Sequence, residues 1–263
     1  MRSLNPITVC LTLLLFCVLA PYPASARTET VSIELKGGKA KVTLLQGSAA
    51  VVRKGRIEAQ PLAKDDMLST GDRITTGKKS RIELQMPDGS FLRFDEETTF
   101  ELQSIAFEKK RKRRKINISM ILGKTWAKVS RLFGIKGRFE IATRTAVAGV
   151  RGTVYRVNVA PDNSVTVKVY WGEVVVNNAM RDATEKQQMQ ITAPTKVEGP
   201  HPVPGPHPVS MEEWTYIVKA LQQINIRPDG TVTKPFRFSV EDDLNEWVIW
   251  NQKRDEELGD NWQ

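Results

Sequence analysis

The sequence predicts an all-β fold, an antiparallel β-roll or solenoid-like sheet of stacked hairpins, followed by a small α-helical C-terminal appendage. Three observations carry that prediction. Short segments with a period of two recur from Val31 to about Val176. Turn phrases built on Pro, Asp, Asn and Gly separate them. No stretch of this region sustains a capped helical period over about ten residues.

The clearest hairpin comes first. Arg81-Ile82-Glu83-Leu84-Gln85-Met86 alternates polar and apolar side chains, Phe91-Leu92-Arg93-Phe94 does so more weakly, and Pro87-Asp88-Gly89-Ser90 lies between them. Gly89 can take the positive φ that such a turn requires. Further strands are expected at 116–121, 125–129, 138–141, 154–159, 165–170 and 173–176. Residues 82–94 are echoed by 155–169, which turns on Pro161-Asp162-Asn163-Ser164, and Pro228-Asp229-Gly230-Thr231 follows later. Turn chemistry accounts for much of that echo, and it suits hairpins stacked on one another.

The N-terminus reads as a cleavable Sec-type signal peptide over residues 1–26. Arg2 supplies a positive charge, Ile7 to Ala20 form a mostly apolar run, Pro21 and Pro23 break it, and Ala24-Ser25-Ala26 offers a cleavage site. The run is short for a membrane span, so a periplasmic or secreted mature chain beginning at Arg27 is expected, an uncleaved anchor being the alternative. Both cysteines, Cys10 and Cys17, fall inside that leader. The mature protein then has no thiol, although its compartment would permit disulfides.

The remaining chain divides by composition into a β domain over 27–192, a proline-rich linker over 193–209 and a Trp-rich helical tail over 210–263. In the linker, Gly199-Pro200-His201-Pro202-Val203 is repeated as Gly205-Pro206-His207-Pro208-Val209, and prolines at that density favour an extended chain. In the tail, Ser210-Met211-Glu212-Glu213 has capping-box spacing, with Trp214, Ile217, Val218 and Leu221 on one helical face. Pro228-Asp229-Gly230 would end that helix. Ser239-Val240-Glu241-Asp242-Asp243 would open a second, with Leu244, Trp247 and Val248 on one face before Asn251. Large aromatics on short helices need a surface to bury them, and the β body is the nearest.

The net charge of +9 is local rather than general. Lys109-Lys110-Arg111-Lys112-Arg113-Arg114-Lys115 is one uninterrupted run, and without it and Arg2 the chain is close to neutral. Glu108 leads into the run and Ile116 resumes the β pattern, which places it at the tip of a long hairpin. Two readings follow: a solvated loop, or a site for an anionic surface such as lipid headgroups, lipopolysaccharide phosphates or an acidic protein face. No aromatic residue interleaves the run, so nucleic acid is not expected as a partner.

Chemistry has little to work with. His201 and His207 are the only histidines, both in the linker, where nothing orients them as a base, and two ligands alone make a poor metal site. Asp65 with Asp66, or Asp95 with Glu96, is the nearest thing to a carboxylate pair, and adjacent acids at turns are usually solvated. No catalytic residue, metal or cofactor is therefore expected. Gly149 and Gly152 are read as structural turn glycines beside Gly89, bracketing a bend in which Arg151 ties down loop carbonyls and after which Thr153 starts a strand.

Several ordered phrases together resemble a known family. Val42 to Gly55, Asp66-Met67-Leu68-Ser69-Thr70-Gly71-Asp72, Thr76 to Arg81 and Pro87 to Ser90 resemble the first half of a FecR-type domain. Leu122-Gly123, Trp126, Phe139 to Thr143, Val150-Arg151-Gly152-Thr153-Val154-Tyr155-Arg156-Val157 and Tyr170-Trp171-Gly172-Glu173-Val174-Val175-Val176 resemble the second. The tail, with Glu213-Trp214 and Trp247 through Asp255, resembles that of some exported members. The resemblance implies an extracytoplasmic β domain used in protein–protein contact, serving as a binding or scaffold module of the bacterial envelope. The alternative is a periplasmic component of cell-surface signalling that acts through a separate membrane regulator. In the best-known members the domain follows a transmembrane helix and a cytoplasmic anti-sigma segment. A leader in that place argues against direct sigma-factor control.

Overall fold

Alternation in the sequence becomes strands with one buried face. The computed structural model describes residues 38–150, 152–179 and 214–259. The expected leader at 1–26, the linker at 193–209 with both histidines, the capping box at Ser210 and Arg151 lie outside the described residues.

In chain order, β1 (Lys39–Gln46), β2 (Ala49–Val52), β3 (Ala59–Pro61), β4 (Met67–Ser69), β5 (Arg73–Thr76) and β6 (Arg81–Gln85) open the fold. β7 (Phe91–Phe94), β8 (Thr99–Glu108) and the long β9 (Arg113–Lys128) form its middle. β10 (Lys136–Ala142), β11 (Ala146–Val150), β12 (Val154–Val159), β13 (Val165–Trp171) and β14 (Glu173–Asn178) follow. β15 (Thr215–Lys219), β16 (Gln222–Ile226) and β17 (Phe236–Arg237) precede two helices, α1 (Val240–Asp243) and α2 (Glu246–Glu257). The all-β expectation holds, and the helices α1 and α2 lie in the C-terminal part of the described residues.

Among the described residues, 17 strands make one connected, open sheet that doubles over into two layers through β9. The first layer runs β4-β1-β6-β7-β9-β12-β13-β16-β17, and the second runs β3-β2-β5-β8-β9-β10-β11-β14-β15. Apolar side chains from both inner faces form one buried cluster. Phe94 of the first layer stacks on Phe100 of the second, with ring centroids 3.5 Å apart.

Strand β9 passes from one layer to the other. Its first part pairs with β8 and β10, and Gly123 to Lys128 pair with β12 in the facing layer. The bend falls at Gly123, whose φ is +99° and where a Cβ would collide with Thr98. Only glycine is at ease there. Because β9 folds back on itself, the short segment 129–135 suffices to start β10 beside the beginning of β9. That pair, Lys136↔Arg113 through Ala142↔Ser119, is parallel, whereas a parallel pair normally needs a crossover of a dozen or more residues. Every other strand pair is antiparallel.

The expected first helix of the tail is instead two strands, one added to each layer. β15 pairs with β14 and β16 with β13, so the chain re-enters both layers at their edges. Val218 is buried while Ile217 is exposed, an alternation of period two. The local spacing allowed a helix, but Thr, Tyr, Ile and Val favour strands, and the open edges of β13 and β14 supplied templates. Pro228-Asp229-Gly230 turns the chain after β16 rather than ending a helix. The second expected helix is interrupted. Ser239 caps α1 by accepting from Asp242 N (3.2 Å), and Asn245 caps α2 by accepting from Val248 N (3.1 Å). Trp247 and Val248 are buried, Leu244 is exposed between the helices, and Asn251 is fully buried within α2.

The turn glycines divide. Gly89 (φ +83°) and Gly152 (φ +64°) adopt the left-handed region. Gly149 lies inside β11 at an ordinary φ, with no neighbour nearer than 3.9 Å to an added Cβ, so the expected bend begins after it. At Gly152 a Cβ would lie 2.5 Å from Arg131 Cβ. Gly152→Ala is expected to destabilise by about 2 kcal/mol or more, and Gly149→Ala by less than about 0.5 kcal/mol; denaturant melts of the two variants check this.

Candidate functional site

The basic run sits where the hairpin reading places it. Lys109 to Lys112 turn the chain between β8 and β9, closed by Lys112 N donating to Lys109 O (3.1 Å). Arg113, Arg114 and Lys115 already belong to β9, and there the pleat sorts them. Arg113 and Lys115 point outward. Arg114 shares its face with Ile116, Ile118 and Met120 and is buried. Its Nη1 donates to Asp88 Oδ2 (2.9 Å) and to Ser130 O (3.3 Å), and its guanidinium lies over the Phe139 ring (5.7 Å). Asp88 belongs to the β6–β7 turn, so Arg114 pins that turn, the end of β9 and its beginning together. Of the seven basic residues, Arg114 is thus turned inward, away from any approaching surface.

Topology adds charges that sequence distance concealed. Parallel pairing sets Lys136 beside Arg113 and Arg138 beside Lys115 on the outer face. Arg138 and Asn117 reach Glu140 (3.5 and 3.3 Å), and Arg111 reaches Glu108 (3.2 Å), so two carboxylates temper a predominantly cationic end. Segment 129–135 climbs to the same place, since Lys136 N donates to Lys112 O (2.8 Å). Within it Arg131 is exposed, with its guanidinium over the Phe133 ring (5.4 Å). Phe133 itself is 84% exposed. The inward turn of Arg114 was readable from the parity it shares with Ile116; the approach of Lys136 and Arg138 was not, because a parallel neighbour leaves no local mark.

A second charged constellation lies on the opposite layer, under the C-terminal helices. Along the outer face of the first layer, Glu83, Arg93, Trp126, Arg156 and Lys168 stand side by side on β6, β7, β9, β12 and β13. Arg93 pairs with Glu83 Oε2 and with Asp255 Oδ1 of α2, both at 2.7 Å, and all three side chains are fully buried. Trp126 Nε1 donates to Asp255 Oδ2 (3.0 Å), and Arg254 grips Glu83 through Nε (3.1 Å) and Nη2 (3.0 Å). Asp243 of α1 accepts from Arg156 (2.5 Å), Lys168 (2.7 Å) and the Tyr170 hydroxyl (2.5 Å). Around these groups Trp126, Val154, Tyr170, Trp247 and Val248 form a small second core.

Protonation follows from these partners. Burial alone would raise the Glu83 carboxyl, but hydrogen bonds from Arg254, Arg93 and Thr43 and the Arg93 charge outweigh it and hold the group below its ordinary 4.5. Burial pushes the Tyr170 hydroxyl up, and Asp243 adds to this against Arg156, so Tyr170 stays a donor. The acid pairs considered for catalysis all have structural partners. Asp65 meets Lys41 (2.6 Å), Asp66 accepts from Ala63 N (2.8 Å), Asp95 meets Lys124 (3.0 Å) and Arg81 (3.3 Å), and Glu96 accepts from Lys79 N (2.7 Å). Among the described residues no group of three or more His, Cys, Asp or Glu is arranged to hold a metal.

Two predictions follow from this geometry. Arg114→Ala is expected to cost about 3 kcal/mol, because it strands the buried Asp88 carboxylate, while Arg113→Ala stays within about 0.5 kcal/mol; paired denaturant titrations measure both. Since Glu83 titrates lower folded than unfolded, its contribution is complete above about pH 4.5 and is lost as pH falls through the folded value. Glu83→Gln is therefore expected to be less stable at neutral pH and to lose less further stability on acidification, as unfolding curves taken from about pH 7 to about pH 3 will show.

Comparison with known proteins supplies the remaining findings. The family model described as FecR protein matches residues 72–175, a stretch that includes the basic hairpin, Arg93, Trp126, Gly152 and Arg156. Two crystal structures of a candidate anti-sigma factor from Parabacteroides distasonis, at 1.65 and 2.50 Å resolution, are similar at 17% identity with a TM-score of 0.44. Each match covers 68% of this chain and 64% of that one. No curated protein matches the chain.

Proposed function

We propose that this chain is a non-catalytic binding or scaffold module exported to the bacterial envelope, a reading supported by the FecR family model that matches residues 72–175, since that family is regulatory and envelope-associated. The observation that carries the proposal is the place of the FecR domain in the fold. It builds the centre of both layers and ends in the exposed basic end, a surface suited to contact rather than a cleft suited to chemistry. The leader read from Arg2 to Ala26 supports export to the periplasm or beyond. Among the described residues no helix is long and apolar enough to cross a membrane.

On this reading the module takes a protein partner of the envelope, and its basic end adds attraction to an anionic surface there. The FecR family favours a signalling context, in which the module would act through a separate membrane regulator. Enzymatic and nucleic-acid-binding roles are not part of the proposal: the adjacent carboxylates have structural partners, and the basic end lacks interleaved aromatic stacking platforms.

A photo-crosslinking residue placed at Lys115 or Arg138 in cells is expected to trap one discrete envelope protein. The same probe at Lys234, far along the chain and exposed, should not trap it. Replacing Lys109, Arg111, Arg113 and Lys115 by Ser should leave the melting midpoint almost unchanged, because solvated like charges contribute little to folding. The same change should abolish retention on an anionic surface, and wild-type retention should fall steeply between low and physiological salt. Identical cross-links from all positions, together with equal retention of both proteins, would sink the proposal.

A further inference from the structure

The basic end carries more than charge. Phe133, 84% exposed, stands on the segment between Arg131 and Lys136, and that segment is tied to the hairpin tip through the Lys136–Lys112 hydrogen bond. We infer that this end is a peripheral docking site for an anionic phospholipid bilayer, with Phe133 as the side chain that enters the interface. The inference deepens the anionic-surface reading above and rests on it.

Three features favour a bilayer over an acidic protein. An exposed Phe flanked by Lys and Arg buries its ring at the headgroup–acyl boundary while the cations stay among the phosphates. Phe133 with Arg131 over its ring has that composition. Next, the cations occupy a projecting tip and the outer face beside it, and each basic side chain near an anionic membrane adds its own attraction without a matched cavity. Last, the base of the segment is already fixed. Ser130 accepts from Arg114 through its carbonyl and donates through its N–H to Ser90 Oγ (3.0 Å). Phe133 is therefore presented without an ordering step at the moment of contact, which favours binding by a small surface.

The test uses protein purified from the envelope fraction of cells expressing the full chain, so that every variant carries the same processing. Co-sedimentation is measured with vesicles of phosphatidylglycerol and phosphatidylcholine, with phosphatidylcholine vesicles alone, and with soluble polyglutamate. Wild type is expected to bind the anionic vesicles and neither of the other two. Phe133→Ser should bind them about tenfold more weakly, with an unchanged melt, and Phe133→Trp should restore binding. If the four-cation variant loses vesicle binding while Phe133→Ser does not, the anionic-surface reading stands and the bilayer inference falls. If neither variant differs from wild type, both fall. Wild-type binding to polyglutamate as tight as to vesicles would also overturn the bilayer inference, in favour of an acidic protein face.

Discussion

The doubling back of β9 at Gly123 is the constraint on which the rest of the molecule depends. A single strand belongs to both layers, so the layers cannot slide past one another without breaking pairs along its length. The bend brings Ser130 back to Arg114, sets the beginning of β10 beside the beginning of β9, and gathers the β6–β7 turn, the β8–β9 tip and segment 129–135 at one end. The basic surface is a product of that bend rather than of the run of lysines and arginines alone. An unbent strand of this length would carry Ser130 far from the tip, since each residue advances about 3.3 Å.

Each layer solves a different problem on its outer face. The second layer leaves its polar outer side to water at the basic end. The first covers its own with α1 and α2 and buries charges to do so. Removing an ion pair from water is expensive, and replacement by packed apolar groups is often neutral or stabilising. The arrangement around Arg93 and Asp255 therefore gains more in selectivity of docking than in net stability. Asp243 and Asp255 each find a cation and a neutral ring donor, Tyr170 or Trp126, at their own place along the row. A helix displaced by one turn would lose both sets of partners. Buried polar networks of this kind specify one arrangement among many of similar apolar burial.

Much of this was legible in the sequence, and the losses have physical causes. The hairpin at 81–94, the long basic hairpin and the β character of 116–176 follow from period-two patterning, which is local. At 215–219 the local signal favours a helix, because Trp214, Ile217, Val218 and Leu221 satisfy a helical spacing. What decided the matter was the free edge of β14, which is non-local. Arg114 was grouped with its neighbours by charge, although its parity with Ile116 and Ile118 already turned it inward. The row from Glu83 to Lys168 left no sequence trace as a unit. Its members lie on five strands and acquire their meaning only when α1 and α2 arrive with complementary carboxylates.

That order of arrival has a consequence for how the chain matures. Arg93, Trp126 and Arg156 are made early, and Asp243 and Asp255 come late in a polypeptide that emerges from its N-terminal end. Until the final helix docks, a nascent β body presents a strip of guanidinium groups and indole in which Arg93 keeps Glu83 but lacks Asp255. A chain cut short before Asp255 would keep its strands and yet display that strip, which is the kind of surface that chaperones hold.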